Sequence, residues 1–428
     1  MGTTRRVLAV AVAAVAVAGL LGGCAGDSAD GGSADGGATG KITYFTFTAA
    51  PDHLKELDAI KAEFEKQNPG ITVEVQTAAY ADYFTKLQTA MAGGTAPDTF
   101  EVNYENFVTY ARSGALRTLD DVAKADKDYD AGRVYPKALA AFQQDGKQYA
   151  LPSTFANVVL FYNRKLFDDA GVAYPTADWT WADEKAAAEK LTHKAKGVYG
   201  DYQPVSFYEF YKALAQTGGS FFSADGKQAT FNDAKGIEAA NWLLGKPGTV
   251  QPTVAEIGGK ADYDTALFKS NKLAMWHNGI WQISALAGTK DLDFDIAVEP
   301  GNTTKASAAF FNATAVSAKT KKATAAWKWA RFLSTSPAVV QTRLASSWEL
   351  PAVNDQAAFD SYLKQNPPAN RQAVFDSLGS VALPPVIDAQ QAKMQDLVTK
   401  ALEQAASGQS SPQQALDQAA TAVTALLK

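Results

Sequence analysis

The sequence predicts an α/β protein of two domains. Three observations lead there. From residue 41 onward, strand-like and helix-like segments alternate, the order that builds a parallel, helix-flanked sheet. The chain has 428 residues, enough for two domains with cores of their own. Hydrophobic residues make up 46% and charged residues 20%, which excludes a disordered or wholly membrane-embedded chain.

The elements follow in order. Residues 41–47 alternate as a first strand. Leu54, Leu57, Ile60, Ala62 and Phe64 recur at helical spacing, and Asn68-Pro69-Gly70 stops that helix. Ile71, Val73 and Val75 predict a second strand. Phe84, Leu87 and Met91 predict a second helix, closed at Gly93-Gly94, and residues 99–102 a third strand after Ala96-Pro97-Asp98. The middle continues in this style. Residues 158–162 read as a strand entered through Leu151-Pro152, 181–191 as a helix, and 207–214 as a short aromatic helix before Gly218-Gly219. Residues 272–276 and 294–298 read as strands. In the helix 323–333, Ala326, Trp327, Ala330, Phe332 and Leu333 face a core. Helices over 393–406 and 412–427 end the chain, the last with Ser411 as N-cap and Pro412 at the first helical position. No repeat at solenoid period is present.

The N-terminus predicts an address. Arg5 and Arg6 precede an apolar run over residues 7–21, then Leu21-Gly22-Gly23-Cys24. A positive segment, a short apolar segment and small residues make a secretory signal. The run is short for a membrane span. Cys24 is the only cysteine, so no internal disulfide can form. Its context resembles a bacterial lipobox. That resemblance implies a signal peptide over 1–23, acylation of Cys24, and a mature chain held at the extracellular face of the cell membrane. The alternative is a plain signal peptide with an incidental cysteine. Residues 24–40 are rich in Gly, Ser and Asp and read as a flexible tether.

Charge narrows the function. The net charge is -5; removing residues 1–23 takes away two arginines and no acid, leaving 38 basic residues against 45 acidic, or -7. A nucleic-acid binder needs a basic footprint, so that class is excluded. The sequence has no phosphate-binding loop, no dinucleotide fingerprint, no G-x-S-x-G elbow and no H-E-x-x-H. His53, His193 and His277 lie far apart, without metal-ligand spacing, and read as surface or satisfied histidines. No metal or cofactor is expected. Asp120-Asp121 and Asp168-Asp169 read as helix-start or solvated residues, and no acid stands in a context that marks it as catalytic. Aromatic rings beside amides or acids do stand out, at 44–47, 80–84, 207–211, 276–281, 310–312 and 348–349. Sugars present an apolar C–H face and a hydroxyl rim, which rings and polar side chains cover in turn. Most such rings, taken singly, are core residues.

Six motifs in order resemble one family. They are residues 64–73 (FEKQNPGITV), 86–98 (KLQTA, then GTAPD), 149–167 (YALP, then LFYNRKLF), 174–181 (YPTADWTW), 273–281 (LAMW, then GIW) and 325–329 (AAWKW). Together they resemble the extracellular solute-binding proteins of family 1, the maltose-binding-protein-like group that serves sugar ABC importers. The resemblance implies a two-lobed periplasmic-binding-protein-like fold of type II, with the ligand cleft between the lobes. It implies lobe I over 41–153 with 303–346 and lobe II over 154–302 with 347–428. The chain would cross between them near 152–154, 300–302 and 346–351.

Residues at positions matching the family's cleft are Phe47, Thr48, Tyr80, Asp82, Asn103, Tyr104, Thr154, Phe155, Asn157, Tyr208, Asn278, Trp281, Phe311, Asn312, Trp348 and Glu349. Trp281 is the leading candidate for a stacking ring. Phe311-Asn312 stands where the family often has Gly-Gly, so bulk fills part of the pocket. Phe47 and Tyr80 stand where many members carry Trp. The implied partners are a mono- or oligosaccharide, an ABC permease and, through Cys24, the membrane; the protein is expected to be a monomer and not an enzyme. A secreted carbohydrate-active enzyme and a binding subunit for a non-sugar solute are the alternatives.

Overall fold

The computed structural model describes residues 37–428 apart from Ala50, Ala261, Asp388 and Ala389. The expected signal peptide, Cys24 and most of the tether lie outside the described residues.

Eleven strands are described: β1 (Gly40–Thr46), β2 (Ile71–Thr77), β3 (Thr99–Asn103), β4 (Gln143–Gln144), β5 (Lys147–Gln148), β6 (Ala150–Asn163), β7 (Met275–Gly279), β8 (Phe294–Ala297), β9 (Ser307–Val316), β10 (Leu350–Pro351) and β11 (Val381–Ala382). The main sheet runs β10-β6-β9-β3-β1-β2, and β4 and β5 form a separate hairpin. The opening βαβαβ segment behaves as its alternation predicts. β1 pairs in parallel with β2 and β3, through crossover helices Pro51–Gln67 and Tyr80–Ala92. Gly70 ends the first helix at φ +94 and Gly94 follows the second at φ +72, left-handed angles that side chains with a Cβ resist.

The middle departs from the parallel expectation. β6 is antiparallel to β9, β10, β7 and β8. Two features explain the misreading. The segment read as a strand over 158–162 is the end of a 14-residue strand, buried at every position. A strand covered on both faces loses the alternation that marks its limits. The strand expected over 272–276 lies three residues later, over Met275–Gly279, because Leu273 and Ala274 are buried outside the ladder.

β6 and β9 are the long members. β6 pairs with β9 over residues 150–157 and with β7 and β8 over 158–163. One strand therefore serves two groups of strands, and its register against β9 shifts between Pro152 and Thr154. Beside β1 and β2, Tyr44 and Phe64 pack edge-on against Trp329, which stacks with Phe332. A second core joins Phe207, Phe210, Phe231, Leu243, Met394 and Leu416 from the helices Phe207–Gln216, Ala234–Leu244, Gln391–Ala406 and Pro412–Leu426. Ser411 caps the last helix in a full capping box with Gln414, and Pro412 opens it. Among the described residues, no helix is long and apolar enough to cross a membrane.

Candidate ligand-binding site

The strand ends and helix starts converge on a cavity of 630 Å³, within the range of small-molecule sites. Seven aromatic side chains line it: Tyr80, Tyr104, Tyr208, Trp281, Phe310, Phe311 and Trp348. Glu105, Glu209 and Glu349 line it beside His53 and His277, and among the described residues no lysine or arginine does. Grooves of 510 Å³ and 980 Å³ elsewhere present one aromatic ring each, Trp242 and Tyr202. The concentration of ring faces singles out the first cavity.

Local sequence sets each wall. Asn103 ends β3 and caps the helix Tyr104–Arg112 by accepting from the Asn106 backbone N–H, while its amide donates to the Tyr80 hydroxyl at 3.0 Å. Ser206 caps the helix Phe207–Gln216, so Tyr208 and Glu209 fall in its first turn. The Tyr208 hydroxyl and the Gln395 amide both donate to Glu105, at 3.0 and 2.7 Å. Burial holds the Glu105 carboxyl above its ordinary value despite these donors.

Trp281 follows the tight Gly279-Ile280 exit from β7. A Cβ on Gly279 would sit 2.1 Å from the Trp281 ring, so only glycine admits the indole there. Trp281 is 37% exposed and Tyr80 50% exposed, unusual for rings of this size and available to a ligand face. Phe310 lies between Trp281 and Tyr208, with centroids at 5.7 and 5.8 Å. On the opposite wall Trp348 stacks on His53 at 3.8 Å and donates its indole N–H to Glu56 at 2.9 Å.

Glu349 accepts from the Thr154 hydroxyl at 2.8 Å and the Asn312 amide at 3.0 Å. Its carboxyl is pushed up to about 7, first by burial and then by Glu101.

Ten of the sixteen residues expected from the sequence line this cavity: Tyr80, Asn103, Tyr104, Tyr208, Asn278, Trp281, Phe311, Asn312, Trp348 and Glu349. Six do not. Phe47 packs edge-on against Tyr80 and Tyr83. Thr48 is buried, its backbone N–H donating to the Thr46 hydroxyl. Asp82 is exposed, 3.7 Å from Lys86 on the same helix. Thr154 and Phe155 lie one layer below, against Glu349 and Phe311. Asn157 is buried and donates to the Val374 carbonyl.

The sequence reading missed Glu105, Glu209, Phe310, His53 and His277, which also line the cavity. Phe310 carried a signal, standing beside Phe311 in an aromatic-amide stretch. The two glutamates had only a position in the first turn after a capping residue.

His277 is buried between carboxylates. Its Nδ1 lies 3.0 Å from Glu299, and its Nε2 lies 3.1 Å from Glu184 and 3.3 Å from Asp201. Burial alone would lower its pKa, but Glu299, Glu184 and Asp201 outweigh that and hold it well above the usual value. These carboxylates favour the protonated ring, in which both nitrogens donate. Atoms of Glu184, Asp201 and His277 come within 4.8 Å of one another, a spacing suited to a metal. Lys246 already supplies the cation, with Nζ 2.5 Å from Glu184 and 2.6 Å from Asp201. Lys212 likewise bridges Glu209 and Glu299. The result is a buried ionic scaffold behind the cavity wall.

The sequence model of the bacterial extracellular solute-binding proteins matches residues 50–340. The chain belongs to that family. An ABC substrate-binding protein of Listeria monocytogenes, solved in complex with cycloalternan, is 43% identical to it. That structure superposes with a TM-score of 0.85 over 90% of this chain and 98% of the other. The maltotriose-binding protein of Pyrococcus abyssi is 24% identical over 74% of this chain and 67% of its own. A maltooligosaccharide ABC transporter solute-binding lipoprotein of Streptococcus pneumoniae is 25% identical over 57% of this chain and 56% of its own. The fold is accordingly the two-lobed α/β fold of solute-binding proteins.

Proposed function

We propose that this solute-binding protein is the capture subunit of an ABC importer, that it holds an oligosaccharide in the 630 Å³ cavity, and that its ligand is an α-glucan. The observation that carries the reading is the lining: seven aromatic rings with Asn103, Asn278, Asn312 and three glutamates between them. Rings cover the C–H faces of pyranoses while amides and carboxylates take the hydroxyls. The relative that is 43% identical was solved with cycloalternan, and others are named for maltotriose and maltooligosaccharides, which favours the α-glucan class. Among the described residues no lysine or arginine lines the cavity, which disfavours anionic sugars.

The lobes are placed at 41–153 with 303–346 and at 154–302 with 347–428. The division of β6 between two groups of strands supports a passage within it, and β10 pairing with Thr154 and Phe155 supports another nearby. Closure of the lobes traps the sugar, and the closed form docks on a permease. Cys24, once acylated, tethers the monomer to the extracellular face of the cell membrane. The acids serve as hydrogen-bond partners of the sugar hydroxyls and not as a hydrolytic pair.

The test is a panel of linear and cyclic oligosaccharides, read by thermal shift and by chromatography of the mixture. Stabilisation without product supports a binder. Hydrolysis abolished by changing one glutamate contradicts it, and a shift only with a non-sugar solute contradicts the ligand class.

A further inference from the structure

Glu349 occupies a place that ligand contact alone does not explain. Three segments meet at its carboxyl. It belongs to the stretch leading into β10, Thr154 reaches it from β6, and Asn312 reaches it from β9. Asn312 also donates to the Thr154 hydroxyl at 3.3 Å, closing a triangle. Of these strands, β6 serves both groups of strands, and the carboxyl that ties it to β9 and β10 also lines the cavity.

Behind Glu349 the charges do not balance. Glu101 on β3 and Glu56 on the helix Pro51–Gln67 face the same buried region, and among the described residues Arg343 on the helix Pro337–Ser346 is the cation set against these three carboxylates. Arg343 is 3.5 Å from Glu56, and its Nε and Nη1 have no hydrogen-bond partner among the described residues. Glu101 accepts from the Thr46 hydroxyl at 2.5 Å, beside the buried Tyr44 hydroxyl. His53 and Trp348 wall the same side of the cavity. One positive and three negative groups in a buried cluster favour a bound proton. Both Glu101 and Glu349 are shifted upward, each first by burial.

Resting on the reading of this cavity as a sugar site, we propose that Glu349 is a positioning residue that links capture to the joined strands and takes up one proton from solvent when the ligand is captured. A ligand seated against Glu349 covers the side of the carboxyl that faces the cavity and deepens its desolvation. The ionised carboxyl then becomes costlier and the protonated form is favoured. The neutral acid keeps acceptor capacity for Thr154 and Asn312 and gains an O–H to offer a sugar oxygen. The sign follows from linkage. If the bound form holds the proton more tightly, affinity is level below about pH 7 and falls by up to tenfold per pH unit above it.

The test uses the purified lipid-free mature protein and calorimetric titration with cycloalternan, and with maltotriose if cycloalternan gives no heat. Titrations run from pH 5.5 to 9 in buffers of different ionisation enthalpy. The expected result is uptake of close to one proton near pH 8, with affinity falling above pH 7. Glu349→Gln should bind at pH 8.5 within about threefold of its own affinity at pH 6, with no proton taken up. Glu101→Gln, which keeps Glu349 but removes a charge that raises its carboxyl, should move the onset of the fall to lower pH. The proposal is overturned if Glu349→Gln retains the wild-type pH slope, or if wild type binds with no proton uptake. Failure of both sugars at every pH contradicts the sugar reading separately. The unliganded protein then still decides the linkage. Between pH 4.5 and 7 the unfolding midpoint of wild type should fall relative to that of Glu349→Gln. Parallel curves would overturn the proposal.

Discussion

At the scale of single residues, His277 shows how a side chain can be essential to a wall without touching the chemistry of the ligand. Its ring carries the charge that Glu184, Asp201 and Glu299 require. Removing one partner of a buried ion cluster leaves charge uncompensated and costs about 3–5 kcal/mol. His277→Ala is expected to lower stability by that order in urea unfolding. The pH dependence has a defined sign. The His277 pKa is raised in the folded state, so its contribution is present at and below neutral pH and is lost as pH rises through the folded value. Glu299 is the converse: burial opposes its charge, but His277 and Lys212 lower its carboxyl to about 2. Its contribution is lost as pH falls from about 4.5 toward 2, so stability should decline on both sides of neutrality. A stability curve flat from pH 3 to 10 would contradict this account. His277 was legible as a satisfied histidine but not as a scaffold, because its partners stand far from it in the sequence, at 184, 201 and 299.

At the scale of elements, the turn after β7 has little tolerance for added bulk. Gly279→Ala drives a methyl group into the Trp281 ring while leaving the β7–β6 ladder in place. The indole must leave its position over the cavity. The expected outcome is at least tenfold weaker sugar binding with an unfolding midpoint changed by only a few degrees, measured by calorimetric titration and thermal melt. The C-terminal helix offers a control far from the cavity. Ser411→Ala removes a capping box, which costs about 1 kcal/mol and should leave affinity unchanged.

The elements also show where sequence patterns suffice. The helix predicted over 181–191 is found over Trp181–Leu191, and the opening βαβαβ unit is found in its predicted order. Amphipathic spacing and capping residues are local signals. β6 is not local in that sense, since burial on both faces erases its alternation and its antiparallel partners come from 275–279, 294–297 and 307–316. The same limit applies to the cavity. Residues flanking strand ends, such as Asn103 and Trp281, are found there, while Phe47 and Asn157 are drawn into packing by neighbours that the chain supplies 36 and 217 residues later.

At the scale of the whole molecule, the family fold and the division of β6 between two groups of strands fit a body that closes around its ligand. Saturating sugar is therefore expected to reduce the radius of gyration in X-ray scattering, with no change in oligomeric state. Identical scattering curves with and without bound sugar would count against a hinge. The N-terminal reading makes a separate prediction. Cys24→Ser should release the protein from the membrane fraction or leave it unprocessed, with ligand affinity unchanged, as read by fractionation and titration of the released chain.

The most direct test of the central claim, that a sugar is captured on the ring faces of the 630 Å³ cavity, is calorimetric titration of wild type and Trp281→Ala with cycloalternan and linear maltooligosaccharides. The account predicts a Kd near micromolar or below, about 8 kcal/mol of binding free energy, for at least one of these sugars. Losing the indole should weaken it by about 1.5–3 kcal/mol, roughly ten- to hundredfold. Equal affinity in the two proteins, or no binding of any sugar by wild type, would contradict it.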